Sequence, residues 1–196
     1  MRILVTHQKG GVGKSTIAVA LANYFLSEGI IPALVDMDAQ GSISSFRKIY
    51  ENNGIDVHSN LSLEQINALP NEVIIIDTPP YLYDGVDNFK DSVNFVVVPL
   101  KPNLYDVGAV GGTIQLLRDN NLIHKSFVLL NQVRNGEAIE IENQEAIKEL
   151  EKFNVNLLES RFNYSVQLKR ISEGQYEPKA RQQVEAVIAE IINILK

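Results

Sequence analysis

Apolar and polar positions along the chain follow two alternating periods. Short runs of consecutive apolar residues, which are typical of strands buried in parallel sheets, alternate with longer stretches whose apolar residues recur at helical spacing. The predicted strands are residues 2–6, 30–36, 55–58, 72–77, 93–98, 127–133 and 154–158, and the predicted helices are 14–28, 42–50, 141–153, 178–195 and one that Asp106 would N-cap. This alternation predicts an α/β fold with a doubly wound, mostly parallel sheet of about seven strands flanked by helices.

A glycine-rich turn joins the first strand to the first helix. Residues 9–16 read Lys-Gly-Gly-Val-Gly-Lys-Ser-Thr. Glycines let successive N–H groups point at one anion, and the start of the helix adds its positive end. Lys14 can reach the β- and γ-phosphates of a nucleotide, and the Ser15 hydroxyl can bind Mg²⁺. The predicted nucleotide-binding residues are Gly10, Gly11, Val12, Gly13, Lys14, Ser15 and Thr16.

The loop carries an additional lysine at its start. The general phosphate-loop pattern G-x-x-x-x-G-K-[ST] has glycine where this chain has Gln8, and the next residue is Lys9. Because Lys14 already serves the phosphates of its own site, Lys9 could act on another phosphate group across a subunit boundary. The alternative is a solvated surface lysine.

Carboxylates follow two of the predicted strands. One strand runs into Asp36-Met37-Asp38, and the β-branched run 72–77 ends in Asp77. These positions lie where α/β folds bind ligands. Asp77 fits the Walker B pattern, in which a buried strand delivers a carboxylate to Mg²⁺, so Ser15, Asp36 and Asp77 are the predicted metal-site residues. Asp36 and Asp38 together would support the metal indirectly and position an attacking water. The alternative for Asp36 and Asp38 is a polar turn that caps the next helix.

Two later features also bear on the site. Asn131 ends the strand 127–133, and its amide offers the donor and acceptor that suit an adenine edge, although a turn-forming role is the alternative. Gly108, Gly111 and Gly112 lie in the helix that Asp106 would N-cap. Such small residues indicate close approach of another backbone, either at a dimer surface or in tight packing on the sheet.

Composition narrows the function classes. The 196 residues carry a net charge of −6 and no cysteine, which excludes disulfides and thiolate metal sites. We expect a single domain over residues 1–196, without a signal peptide or a membrane span. The acidic balance confines any nucleic-acid contact to a local basic patch.

Three segments resemble motifs of the ParA/MinD ATPases. Residues 9–16 resemble the deviant Walker A motif, 36–42 the D-x-D-P-Q-G segment (with Ala39 in place of proline), and 77–80 the D-T-P-P switch. The resemblance implies an ATP-sandwich homodimer in which Lys9 reaches the partner's nucleotide. It also implies ATP and Mg²⁺ as cofactors, slow intrinsic ATP hydrolysis with Lys9, Lys14 and Asp38 as catalytic residues, and an adenine contact at Asn131.

Within that family the chain is most similar to the small ParA-type ATPases of plasmid or chromosome partition. This implies a ParB-like activator, a cytoplasmic location with association to the nucleoid, and nonspecific DNA binding through Lys169, Arg170, Lys179 and Arg181. The alternative for these cations is a solvated surface. Residues 178–195 lack the cationic face of a membrane-binding helix and are interpreted as core packing. The alternative functions are a MinD-like or cargo-positioning ATPase and, less favoured, a metabolite kinase.

Overall fold

The computed structural model describes residues 1–38, 43–80, 85–134, 137–163 and 178–196. Its strands are β1 Arg2–Val5, β2 Ala33–Asp36, β3 Asp56–Ser59, β4 Ile74–Asp77, β5 Phe95–Leu100, β6 Ser126–Val133, β7 Asn156–Leu157 and β8 Phe162–Asn163. Its α-helices are α1 Lys14–Ser27, α2 Arg47–Asn52, α3 Leu63–Ala68, α4 Leu104–Asp119, α5 Glu137–Glu151 and α6 Pro178–Ile194. Short 3₁₀ turns cover Ser44–Phe46, Val86–Phe89 and Ile123–Lys125.

The strands form one parallel sheet in the order β3-β2-β4-β1-β5-β6-β7. Strand β8 pairs in parallel with the final part of β6, beyond the residues that pair with β7. The predicted doubly wound sheet of about seven parallel strands is confirmed. Because β1 lies between β4 and β5, the carboxyl ends of these central strands and the loop after β1 meet at one edge of the sheet.

Alternate residues of the central strand supply the two faces of the core. Ile3 and Val5 pack with α1 and α6, whereas Leu4 packs on the opposite face with α4 and α5. Helices thus cover both faces of the sheet, as is usual for parallel sheets. The phosphate loop therefore begins from a strand that is buried on both sides.

The structure corrects several of the predicted boundaries. The region predicted as helix 42–50 contains a 3₁₀ turn followed by α2, and α3 lies in a segment for which no helix was predicted. A capping box between Ser62 and Gln65 starts α3. The Ser-x-x-Gln spacing could have predicted this helix start from the sequence. The expected core packing of residues 178–195 is found for Val184, Val187, Ile188 and Ile191, which are buried, but Ile192 and Leu195 are exposed.

The predicted N-cap of α4 was wrong. Asn103, not Asp106, caps this helix, because the Asn103 side chain accepts a hydrogen bond from the Asp106 backbone N–H at 3.0 Å. Asp106 lies in the first helical turn and is buried. Its carboxylate is thereby directed toward the phosphate loop.

Candidate functional site

The phosphate loop has the backbone geometry of an anion cradle. Gly11 and Gly13 have φ values of 73° and 100°, a left-handed conformation that favours glycine. A Cβ atom on Gly13 would also lie 2.2 Å from the Asn131 Nδ2 atom. Gly13 is the N-cap of α1 and has no side chain with which to cap it, so the first-turn N–H groups are left for a ligand.

Lys14 is positioned as the cation of this cradle. Its side chain is buried, and its Nζ atom lies 3.4 Å from the Lys9 carbonyl oxygen. Burial lowers the pKa of Lys14, and the nearby Asp77 and Asp38 carboxylates oppose that shift. A phosphate placed here would stabilise the charged amine, as the sequence prediction for Lys14 requires.

Ser15 and Asp77 meet at the carboxyl end of β4. The Ser15 hydroxyl donates a 2.6 Å hydrogen bond to Asp77 Oδ2, while Asp77 Oδ1 is buried and has no hydrogen-bond partner within the described residues. Burial raises the Asp77 pKa to about 7, the Ser15 hydrogen bond and Lys14 lower it, and Asp36 and Asp38 raise it further. An unsatisfied buried carboxylate oxygen beside a hydroxyl fits the hard oxygen ligands that Mg²⁺ prefers.

Asp36 is in register with Asp77 on the neighbouring strand but has a different environment. Its Oδ1 atom accepts from the Asp38 N–H at 3.0 Å, and its Oδ2 atom accepts from the Ser44 N–H at 2.9 Å and the Ser44 hydroxyl at 2.8 Å. The Ser44 and Ser59 hydroxyls are 2.8 Å apart, which connects this cluster to the edge strand β3. Asp36 therefore holds the backbone at Asp38 and at Ser44. Its support of a metal stays a prediction.

A cavity of about 470 Å³ opens above the loop. Asp38 lies on its wall together with Gly10, Lys14, Ser15 and Thr16, and this placement accords with the predicted water-positioning role. The lining also includes the apolar or aromatic residues Val19, Ile43, Phe46 and Tyr50. The size is that of a small-molecule site with a polar floor.

Lys9 is held at the edge of the site by α4. Its Nζ atom forms a salt bridge with Asp106 Oδ1, and Asn103 donates to the other Asp106 oxygen at 2.7 Å. The Lys9 side chain is nevertheless 41% exposed. Lys9 is thus a partly accessible cation with an intramolecular partner, rather than a fully solvated surface lysine.

Two of the three α4 glycines have an explanation within the chain. A Cβ atom on Gly112 would lie 2.5 Å from Gln8 Oε1, and one on Gly111 would lie 3.2 Å from the Phe153 ring. Gly108 faces open space beside Leu104 and Tyr105, the latter 89% exposed. Tight packing therefore accounts for Gly111 and Gly112, and a dimer surface remains a prediction for the face around Gly108.

Asn131 contacts the loop directly. Its Nδ2 atom donates to the Val12 carbonyl at 2.7 Å, and its Oδ1 atom accepts from the Gln132 N–H at 2.9 Å. The side chain is buried, so it holds the loop in place. The adenine contact stays a prediction. It would use the second hydrogen on Nδ2 and the second lone pair on Oδ1, which these two bonds do not occupy.

The predicted basic patch lies only partly within the described residues. Lys169 and Arg170 fall outside them. Lys179 is exposed on α6, whereas Arg181 pairs with Glu28, the C-cap residue of α1, at 2.6 Å. Among the helices that the structure describes, none is long and apolar enough to cross a bilayer.

Sequence reasoning missed two residues beside the loop. His7 accepts a hydrogen bond from the Lys9 N–H at 2.9 Å, and the Gln8 N–H donates to the Thr113 hydroxyl of α4 at 3.1 Å. Asn, Asp, Ser and Thr are the residues that commonly accept from the N–H two positions on, so the histidine at position 7 carried little local signal. Thr113 is 105 residues from Gln8 along the chain and gave no local signal.

Comparison with known proteins gives a consistent result. Residues 3–176 match the family model of the CobQ/CobB/MinD/ParA nucleotide binding domain. The chain is 26% identical to the chromosome-partitioning ATPase Soj of Thermus thermophilus over 153 residues, which are 60% of this chain and 61% of Soj. The match thus spans about three fifths of that relative's length.

Two solved structures share the fold at low identity. One is a Borrelia burgdorferi protein assigned a possible role in plasmid partition and bound to AMPPNP, with a TM-score of 0.76, 20% identity and 98% coverage of both chains. The other is pNOB8 ParA bound to nonspecific DNA, with a TM-score of 0.65, 17% identity and 98% coverage of both chains. Together with the loop geometry, the family match shows that this chain belongs to the CobQ/CobB/MinD/ParA family of nucleotide-binding domains and is of the ParA/MinD ATPase type.

Proposed function

We propose that this protein is a ParA-like partition ATPase of the cytoplasm, built as a single domain over residues 1–196. In this proposal ATP closes two copies into a sandwich dimer, the dimer binds DNA nonspecifically, and a ParB-like partner stimulates hydrolysis. The observation that carries the proposal is Lys9, a second loop lysine that is paired with Asp106 and precedes Gly10, a residue of the cavity wall. The likeness to Soj and to a DNA-bound ParA supports the choice of partition over other activities of the family.

The chain's own groups would bind and orient the substrate. First-turn N–H groups of α1 and Lys14 bind the phosphates, and Ser15 with Asp77 would hold Mg²⁺, which would neutralise charge on the transferred phosphoryl group. Asp38 orients a water whose oxygen attacks the γ-phosphorus, and the bond from that phosphorus to the bridging oxygen of ADP breaks. The described residues of the cavity wall include no arginine, so slow intrinsic turnover is expected.

Dimer closure would exchange one partner of Lys9 for another. In the single chain Lys9 is paired with Asp106 of its own α4, and in the closed dimer it would reach the phosphates of the second copy. The exposed face of α4 with Leu104, Tyr105 and Gly108 is adjacent to that pair and would be covered by the partner. Closure also doubles the number of basic patches that face one DNA molecule, so DNA affinity becomes dependent on ATP.

Three variants separate these roles. Lys14→Ala should abolish ATP binding measured by calorimetry. Lys9→Ala should keep ATP binding but lose the ATP-dependent dimer measured by light scattering. Asp38→Ala should retain the dimer and release phosphate at least tenfold more slowly. Lys101→Ala, a change beside α4 but outside the loop, is the matched control and should behave as the unchanged protein.

DNA retention with ATP distinguishes partition from the alternative functions. Retention should require ATP and Lys9 and should fall steeply with salt. Binding to anionic liposomes but not to DNA would favour a MinD-like positioning ATPase, and ATP consumption that needs a metabolite would favour a kinase. An ATP-bound protein that stays monomeric at all concentrations would contradict the proposal.

A further inference from the structure

His7 is a buried imidazole that the proposed mechanism does not use. It follows β1 directly, is 1% exposed, and its Nδ1 atom accepts the Lys9 backbone N–H at 2.9 Å. An acceptor on residue i that bonds the N–H of residue i+2 has the connectivity of an Asx turn, in which Asn or Asp normally supplies the acceptor. His7 thus acts on the backbone of the loop lysine.

The charges around His7 keep this bond in place at neutral pH. Burial lowers the pKa of His7 to about 4, the Lys14 and Lys9 amines lower it as well, and the Asp106 carboxylate opposes the shift. A neutral imidazole offers one acceptor and one donor, so Nδ1 is the acceptor and Nε2 carries the hydrogen. Nε2 is buried and has no hydrogen-bond partner within the described part of the chain.

The peptide groups of Lys9 are therefore held independently of its side chain. Its N–H is bonded to His7, and its carbonyl oxygen lies 3.4 Å from Lys14 Nζ. The Nζ atom is paired with Asp106 of the neighbouring helix α4. When that side chain leaves Asp106, the bond from His7 still fixes the point from which it extends.

We propose that His7 is a positioning residue for Lys9, whose imidazole holds the lysine backbone so that the amine can reach a phosphate in a second copy of the chain. This inference rests on the proposed ATP-sandwich dimer and adds to it a residue that acts through the loop. Without the bond, the backbone at Lys9 would sample other conformations, and closure would have to order it again. The expected cost falls on dimerisation rather than on nucleotide binding by one chain.

Three substitutions test the acceptor. His7→Asn keeps an oxygen at the reach of an Asx turn and should dimerise with ATP within about twofold of the unchanged protein. His7→Leu removes the acceptor at similar bulk and should need about tenfold more protein to dimerise, the effect of about one lost hydrogen bond. ATP affinity of the single chain should change by less than about threefold in both variants. His7→Gln carries its oxygen one methylene further and should behave as His7→Leu.

The relative ability of these variants to dimerise with ATP decides whether the inference is right. If His7→Leu dimerises as well as the unchanged protein, or if His7→Asn is as impaired as His7→Leu at equal melting temperature, the inference is wrong. If His7→Leu has a lowered melting temperature, the comparison of His7→Asn with His7→Gln decides instead, because both of these side chains are polar. A wild-type chain that never dimerises with ATP would instead contradict the proposed function.

A spectroscopic measurement without nucleotide checks the geometry separately. Long-range ¹H–¹⁵N spectra should show His7 with the hydrogen on Nε2 and no titration between about pH 5.5 and 8, as a histidine with a pKa near 4 requires. The exposed His124 provides the internal reference. A hydrogen on Nδ1 would contradict the inference whatever the dimer measurements show.

Discussion

The carboxyl ends of β2 and β4 present the same residue type in two different states. Asp36 and Asp77 are in register on adjacent parallel strands, and both are buried. Among the described residues, Asp36 accepts hydrogen bonds on both carboxylate oxygens, from the Asp38 N–H and from the Ser44 N–H and hydroxyl. Asp77 has one bond, from Ser15, and its second oxygen has no partner among the described residues.

The difference separates a structural carboxylate from one suited to a ligand. A buried carboxylate with donors on both oxygens stabilises the turn around it, whereas one with a free oxygen costs folding free energy until a cation arrives. The raised pKa of Asp77, about 7, has its main cause in this burial. We therefore expect substitutions at Asp77 to change nucleotide chemistry and substitutions at Asp36 to change stability.

The largest expected effect comes from Asp77→Asn. Removing the carboxylate charge should lower Mg²⁺-dependent ATP hydrolysis by about a thousandfold or more, roughly 4 kcal/mol of transition-state stabilisation, because the metal would lose its charged protein ligand. Phosphate release at saturating Mg²⁺ and ATP measures it, with Asp36→Asn as the matched control. Equal losses of ATP hydrolysis in the two variants would contradict the different roles assigned to the two carboxylates.

The pH dependence of unfolding should show the cost of ionising Asp77. Its pKa is raised from 3.8 to about 7 in the folded chain, so the folded state keeps a proton that the unfolded state releases. The stabilisation is complete below about pH 4 and is lost as the pH rises through 7, on the order of 4 kcal/mol in all.

Urea unfolding without Mg²⁺ or nucleotide measures this effect as the difference between the unchanged chain and Asp77→Asn. The free energy of unfolding of the unchanged chain, minus that of Asp77→Asn, should decrease as the pH is raised from 4 to 8. Parallel curves for the two proteins would mean that Asp77 is ionised in the folded chain and that the free oxygen is solvated.

Asp36→Ala should destabilise the fold by about 3 kcal/mol, since it leaves the donors of Ser44 and Asp38 unsatisfied beside the core. The free energy of unfolding at pH 7 from urea titration is the readout. Asp38→Ala, which leaves the Asp36 cluster intact, is the control and should unfold within about 1 kcal/mol of the unchanged chain. A smaller loss for Asp36→Ala than for its control would contradict the assigned structural role.

The smallest expected effect belongs to the serine pair. Ser44→Ala removes one of the three donors to Asp36 and should cost about 1 kcal/mol, and Ser59→Ala, which does not touch the carboxylate, should cost less. The melting temperatures of the two variants would show which substitution costs more stability. If Ser59→Ala were the more damaging change, the contact to β3 rather than the carboxylate would be the main support of the turn.

Much of the nucleotide site could be predicted from local patterns. The glycine spacing of residues 10–13 requires left-handed conformations, and Lys14, Ser15 and Thr16 follow at the start of a helix. The apolar runs that end in Asp36 and Asp77 placed both carboxylates at one edge of the sheet. These features depend on backbone preferences and on periods of a few residues, so neighbours along the chain suffice to define them.

The partners of these side chains could not be predicted in the same way. Asp106 was expected to cap α4, yet Asn103 caps it and Asp106 pairs with Lys9, 97 residues earlier. Asn131 was expected to face a ligand and bonds the Val12 carbonyl, 119 residues away. Such contacts depend on how the loops after β1, β5 and β6 meet above the sheet.

Residue order along the chain thus determined the parallel α/β architecture, the phosphate loop and the positions of its acidic residues, because glycine conformation and hydrophobic period act locally. Tertiary structure alone decided which buried carboxylate is satisfied, where Lys9 is held, and that His7 fixes its backbone. The physical reason is that burial and hydrogen-bond satisfaction are set by segments distant in sequence, and a pair of similar residues acquires different chemistry from the donors that the fold brings to each.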